Sequence, residues 1–140
     1  MIENKLRKEK ILIYGAGVIG SIFGGKLSLS GVDITLLARG KRLEELRKDG
    51  IILKNAISGE IEKIKVTIID NLEENDIYDY IIVPVQNTQV ESILPILSKN
   101  RSSNIVFVVN NPSGYQNYID SVGYQRVMIG FPSAGGERKD

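Results

Sequence analysis

The sequence contains no cysteine and no histidine. Without thiols there is no disulfide frame, no thiolate nucleophile and no zinc–thiolate site. Without imidazole there is no Ser–His pair and no histidine metal ligand, so no metal site is expected. Charge of one sign is lacking too: eighteen Lys plus Arg stand against seventeen Asp plus Glu, a net charge of +1. That balance gives no broad basic field for nucleic acid or a membrane surface. No apolar run approaches the roughly 20 residues that span a bilayer. The opening MIENKLRKEK is charged and the apolar run behind it breaks at Gly15, so no secretory signal is expected. The expectation is a soluble, cytoplasmic protein.

What is present is an ordinary globular composition, 42% apolar and 25% charged over 140 residues. Such a chain can bury roughly 68% of its unfolded surface around one core. Residues 1–9 read as a charged lead, and residues 10–140 as one domain. Short apolar runs at Lys10–Tyr14, Val32–Leu37, Tyr80–Val83, Ile105–Val109 and Val127–Ile129 read as strands. Between them, Ser21–Ser30, the stretch around Leu43 and Leu46, Thr88–Asn100 and Tyr115–Val122 read as helices. Ile51–Lys54 and Glu60–Ile69, separated by Asn55–Gly59, read as an inserted hairpin. Strand–helix units of about thirty residues predict a doubly wound, mostly parallel α/β sheet with that small hairpin added.

Gly15-Ala16-Gly17-Val18-Ile19-Gly20 follows the first strand and opens a helix, which is the context that makes G-x-G-x-x-G informative. Gly15 permits the tight turn, Gly17 lets a pyrophosphate approach the backbone, and Gly20 lets helix and strand lie close. Orphan amides and the helix dipole favour the anion. Gly24 and Gly25, costly inside a helix, read as further close packing. About 20 residues past such a loop, an acid normally accepts from the ribose 2′-hydroxyl of NAD. Here that place holds Ala38-Arg39-Gly40-Lys41-Arg42, and Asp33 comes too early. A guanidinium there can take the 2′-phosphate of NADP through two parallel hydrogen bonds, at ~1.5–3 kcal/mol or roughly ten- to 150-fold in preference. The alternative is that Arg39, Lys41 and Arg42 are a solvated helix start.

These residues, with Asp79-Tyr80-Ile81-Ile82-Val83-Pro84-Val85, Gln89, Val109-Asn110 and Gly130 in the same order, resemble the nucleotide-binding domain of the ketopantoate reductase family from residue 10 onward. The resemblance implies an NADP-dependent oxidoreductase that reduces 2-dehydropantoate to pantoate, in pantothenate biosynthesis, or a relative acting on another small 2-keto acid. It implies that Gly15, Ala16, Gly17, Val18, Ile19 and Gly20 hold the pyrophosphate and Arg39 the 2′-phosphate. It further implies that Val85, Gln86, Gln89 and Asn110 line the nicotinamide and substrate end. Two positions depart from the family: Gln86 stands where Lys is usual, and Asn111 where Gly is usual. Gln86 keeps donors but lacks the charge that attracts a keto acid.

In the family, a general-acid lysine and a substrate-binding glutamate belong to a helical C-terminal domain that would follow Asp140. This chain is therefore expected to bind cofactor without supplying the acid, and to lack catalytic residues of its own. A standalone NADP-binding sensor without catalysis is the alternative, and an interaction domain a third reading. A face left for the second domain would favour self-association as a homodimer. Glu44 with Glu45, and Glu73 with Glu74 and Asp76, read as solvated surface. Tyr115, Tyr118 and Tyr124 belong either to a substrate or subunit face or to half-buried packing. Met128 and Phe131 read as core.

Overall fold

The computed structural model describes residues 7–139, so Lys5 and most of the charged lead lie outside the described residues, as does Asp140. The elements run β1 (Lys10–Tyr14), α1 (Val18–Leu29), β2 (Asp33–Leu37), α2 (Gly40–Asp49), β3 (Ile51–Lys54), β4 (Ile61–Ile64) and β5 (Thr67–Ile69). They continue with β6 (Tyr80–Val83), α3 (Asn87–Lys99), β7 (Ile105–Phe107), α4 (Gln116–Val122), a 3-10 turn (Tyr124–Arg126) and β8 (Val127–Ile129). Six strands form one sheet in the order β5-β2-β1-β6-β7-β8, and every neighbouring pair is parallel. The predicted doubly wound sheet is what forms.

Strand alternation divides the core in two. Leu12 and Tyr14 point to one face with Ile81, Val83, Phe107 and the α3 residues Val90, Leu94 and Leu97. Ile11 and Ile13 point to the other with Ile34, Leu36, Leu46, Ile51 and Ile64. Strands buried on both faces need no polar alternation, which is why their sequences are continuous apolar runs. Pro95 lies within α3 without ending it.

The hairpin differs from its expected form. Ile51–Lys54 pairs antiparallel with Ile61–Ile64 as a separate two-stranded sheet. The chain then leaves the hairpin, and Thr67–Ile69 joins the main sheet parallel to β2. The stretch read as one arm, Glu60–Ile69, is thus two strands in two sheets. Gly50 (φ +74) makes the entry to the hairpin, where a Cβ would lie 2.5 Å from the Ile64 carbonyl oxygen. Gly24 and Gly25 serve close packing as expected. Gly25 does so against the hairpin, 2.9 Å from the Leu53 and Ile64 Cδ1 atoms to an added Cβ.

Met128 and Phe131, read as core, are exposed at 46% and 69%. In β8 it is Val127 that packs against the core; Met128, next along the strand, turns to the opposite face, and Phe131 lies past the strand's end. Of the tyrosines, Tyr118 is buried and packs on Phe107, Tyr115 is half-buried beside it, and Tyr124 is solvent-exposed. Among the described residues, no helix is long and apolar enough to cross a membrane.

Candidate cofactor site

The chain runs outward from β1 to β2 and β5, then returns to the other side of β1 for β6, β7 and β8. The sheet order reverses between β1 and β6, and in open α/β sheets that crevice at the carboxyl ends of the strands is where ligands bind. A groove of about 350 Å³ opens there, lined by Tyr14, Gly15, Ala16, Gly17, Leu37 and Ala38 along its floor. Its walls carry Arg39, Arg42, Val85, Gln89 and Arg138. A smaller depression of about 210 Å³ between α2 and β5 has no comparable set of backbone donors at a helix start.

The glycine loop forms the groove's centre. Gly15 turns at φ +136, a conformation that L side chains rarely adopt. Gly20 lies so close to the Gly15 carbonyl oxygen that an added Cβ would collide with it. An added Cβ on Gly17 meets nothing within 4 Å, so its backbone is open to the groove. Ser21 N–H donates to the Gly17 carbonyl at 2.9 Å, closing the first turn of α1. Among the described residues, the amides of Gly17, Val18 and Ile19 donate to no protein acceptor. Such orphan donors, at the positive end of a helix dipole, are what a pyrophosphate requires.

Arg39 ends the loop after β2, exposed, with one hydrogen bond among the described residues: its Nη2 donates to the Tyr14 hydroxyl at 3.3 Å. A guanidinium carries five N–H donors, so most of Arg39 is available to an anion. Burial raises the Tyr14 pKa above the ordinary phenol value, against the opposing pull of the Arg39 charge. Arg42, one turn along, donates from Nε to the Ala16 carbonyl at 3.0 Å and from Nη2 to the Ser21 hydroxyl at 2.9 Å. Glu45 gathers the neighbouring cations: Arg138 at 3.1 Å, Arg42 at 3.5 Å and Lys41 at 3.8 Å.

The structure brings together Gly15, Ala16, Gly17, Arg39, Val85 and Gln89 of the expected set, with Val18, Ile19 and Gly20 in the first turn of α1. Gln86 and Asn110 stand apart from the groove lining, exposed beyond the ends of the adjacent strands β6 and β7. Gln89 Oε1 accepts the Gln86 N–H at 3.0 Å, fixing the start of α3. Asn111 needs no left-handed backbone, since only glycines have positive φ among the described residues. Its Nδ2 donates to the Tyr118 hydroxyl at 3.2 Å, and its Oδ1 accepts the Ser113 N–H at 3.0 Å. The departure at 111 is therefore accommodated by a hydrogen-bonded turn.

The model of the family "Ketopantoate reductase PanE/ApbA" matches residues 11–140. The chain belongs to that family. It is 28% identical over 128 residues to the uncharacterized oxidoreductase YkpB of Bacillus subtilis, covering 86% of this chain and 40% of that protein. It is 35% identical over 86 residues to the 2-dehydropantoate 2-reductase of Archaeoglobus fulgidus, covering 60% of this chain and 27% of that one. The probable 2-dehydropantoate 2-reductase panE of Bacillus subtilis superposes with a TM-score of 0.78 at 24% identity, over 94% of this chain and 44% of that one. A D-mandelate dehydrogenase in complex with NADH and anilino(oxo)acetate matches with a TM-score of 0.73 at 26% identity, over 87% of this chain and 40% of that one. This ketopantoate reductase family chain thus spans less than half the length of these relatives.

Tyr14, Leu37, Ala38, Arg42, Ser92, Ile93 and Arg138 also line the groove, beyond the residues expected there from the sequence. Tyr14 was visible only as the last residue of an apolar strand. Arg42 carried a usable signal, because residues three apart on a helix start share a face with Arg39 at its cap. Arg138 is 93 residues from its partner Glu45, and no local pattern connects them.

Proposed function

We propose that this chain is the NADP(H)-binding part of an oxidoreductase that moves hydride between NADPH and a small 2-keto or 2-hydroxy acid. The observation that carries the reading is the junction of orphan amides at Gly17–Ile19 with an accessible Arg39 across the switch-point groove. The residues fit a dinucleotide. Gly17 leaves backbone room, the first turn of α1 supplies donors, and Arg39 at the start of α2 offers a fork to a 2′-phosphate. The nicotinamide, when bound, supplies the hydride. Val85 and Gln89 shape the wall toward that end of the groove, while Gln86 and Asn110 wait at the strand ends to meet the nicotinamide or the substrate carboxylate.

Carbonyl reduction also needs a proton delivered as hydride arrives. The titratable groups lining the groove are Tyr14, Arg39, Arg42 and Arg138. Tyr14 sits against Arg39, at the end assigned to the 2′-phosphate and away from the reacting carbonyl. The resemblance to the family implies a general acid on a helical C-terminal domain, and the relatives are more than twice as long as this chain. The test is calorimetric titration of the purified chain with NADPH and with NADH at fixed salt. The expected result is NADPH binding at least about tenfold tighter, with no turnover of 2-keto acids by this chain alone. Equal binding of the two would remove Arg39 from the reading, and binding of neither would overturn it.

A further inference from the structure

We propose that Arg42 is a positioning residue for the dinucleotide: it pins the glycine loop so that the loop's amides face the pyrophosphate, and leaves the 2′-phosphate to Arg39. This rests on the reading of the groove as a dinucleotide site. Arg42 is three-quarters buried, with its side chain 25% exposed. Its Nε–H meets the Ala16 carbonyl at 3.0 Å and its Nη2–H the Ser21 hydroxyl at 2.9 Å. The Ser21 hydroxyl in turn donates to the same Ala16 carbonyl at 3.2 Å. A three-residue hydrogen-bonded ring therefore ties the start of α2 to the loop and to the first turn of α1.

In a trans peptide the C=O and the following N–H point in opposite directions, and no cis peptide is present among the described residues. Holding the Ala16 carbonyl toward Arg42 therefore turns the Gly17 N–H away from it. That amide has no protein acceptor and opens on the groove. Arg42 thus sets the aim of a donor it does not touch. Two of its five donors go to Ala16 and Ser21, and Nη1 faces Glu45 at 3.5 Å, so its charge is partly matched. Arg39 is the opposite case, with one long hydrogen bond and the rest of its fork open. Two arginines three residues apart then divide the labour: one orients the loop for any dinucleotide, the other distinguishes the phosphorylated ribose.

The test compares Arg42→Met, Arg42→Lys and Arg39→Met with the unaltered chain in two measurements. Calorimetry with NADPH and NADH reads affinity and preference. Amide chemical shifts of Ala16–Ile19 in the ligand-free protein read loop geometry, independently of any cofactor. Arg42→Met is expected to displace the Gly17 amide resonance and to weaken NADPH and NADH alike, about tenfold each, with their ratio kept. Arg42→Lys, which has no planar fork, recovers part of that loss. Arg39→Met is expected to leave the loop resonances in place and abolish the ratio. Unchanged Gly17 resonances in Arg42→Met would overturn the proposal, as would unchanged affinity. Loss of the ratio in Arg42→Met would overturn it too, by making Arg42 a phosphate ligand. If the unaltered chain binds neither dinucleotide, the reading of the groove fails, and the loop resonances alone still decide whether Arg42 is the clamp.

Discussion

Replacing Gly20 and Gly17 by alanine, one at a time, separates folding from binding within six residues of chain. Gly20 sits in the first turn of α1, where alanine is favoured over glycine by ~1 kcal/mol. The structure opposes that gain with a collision. A Cβ at Gly20 would run into the Gly15 carbonyl oxygen, 3.1 Å from the Gly15 carbonyl carbon and 3.3 Å from Ile13 Cγ2. The obstacle is backbone, which cannot rotate aside, so α1 must shift away from β1. Overpacking of this kind costs ~1–3 kcal/mol and occasionally more. A backbone obstacle puts the cost at the upper end of that range, so with the propensity gain subtracted Gly20→Ala should lose about 2 kcal/mol of stability, a fall in Tm of roughly 5–10 °C for a chain of this size.

Gly17 is the counterpart. It has φ −72 and ψ −165, which alanine adopts freely, and a Cβ there meets nothing within 4 Å. The narrower unfolded ensemble of alanine offsets its poorer capping, so stability should stay within ~1 kcal/mol. The new methyl instead projects into the space through which the pyrophosphate must approach, and NADPH affinity should fall by about tenfold or more. Differential scanning calorimetry and isothermal titration of both variants make the comparison. A Gly20→Ala protein as stable as the parent would refute the close-approach argument. A Gly17→Ala protein that binds NADPH as the parent does would refute the placement of the pyrophosphate.

Gly25→Ala should cost less stability than Gly20→Ala, because its 2.9 Å contacts are the flexible ends of Leu53 and Ile64 and not backbone; thermal unfolding of the two variants ranks them. Arg126→Met should destabilise by ~2–3 kcal/mol without altering the NADPH to NADH ratio. Its guanidinium donates to the carbonyls of Leu97, Asn100, Ser102 and Val122, closing the end of α3 far from the groove; urea unfolding beside a titration checks both halves. Asp79 accepts from the Lys10 N–H and from Arg7, which hold its pKa below the usual aspartate value. A depressed carboxylate contributes stability above its unfolded pKa and loses it as pH falls through the folded value. Asp79→Asn should therefore flatten the decline of Tm below about pH 4, and an unaltered acid limb would count against this pairing.

The parts of the fold that were legible were those fixed by near neighbours. Lys10–Tyr14 followed by Gly15–Gly20 states a strand, a turn and a helix within about twenty residues, each by its own chemistry. Tyr80–Val83 and Ile105–Phe107 announce burial on both faces by lacking polar positions. The division of Glu60–Ile69 was not legible, because which partner a short strand takes is settled by β2 and β3 and not by the stretch itself. Met128 and Phe131 misled for the same reason: an apolar run does not say whether another layer lies beyond it. At the site, Arg39 was found because it replaces an expected acid, an anomaly local to β2. Arg42 makes its hydrogen bonds to Ala16 and Ser21 across more than twenty residues, so its role becomes visible only once α2 is packed beside the loop.

In the function proposed above, NADPH lies across the glycine loop with its ribose phosphate on Arg39. Amide and arginine side-chain NMR during an NADPH titration tests this most directly, since it reports place as well as affinity. The predicted result is saturable shifts concentrated at Gly15–Gly20 and at the Arg39 guanidinium, with the Arg39 response absent when NADH replaces NADPH. Shifts centred instead on the depression between α2 and β5, or an Arg39 signal indifferent to the 2′-phosphate, would contradict it.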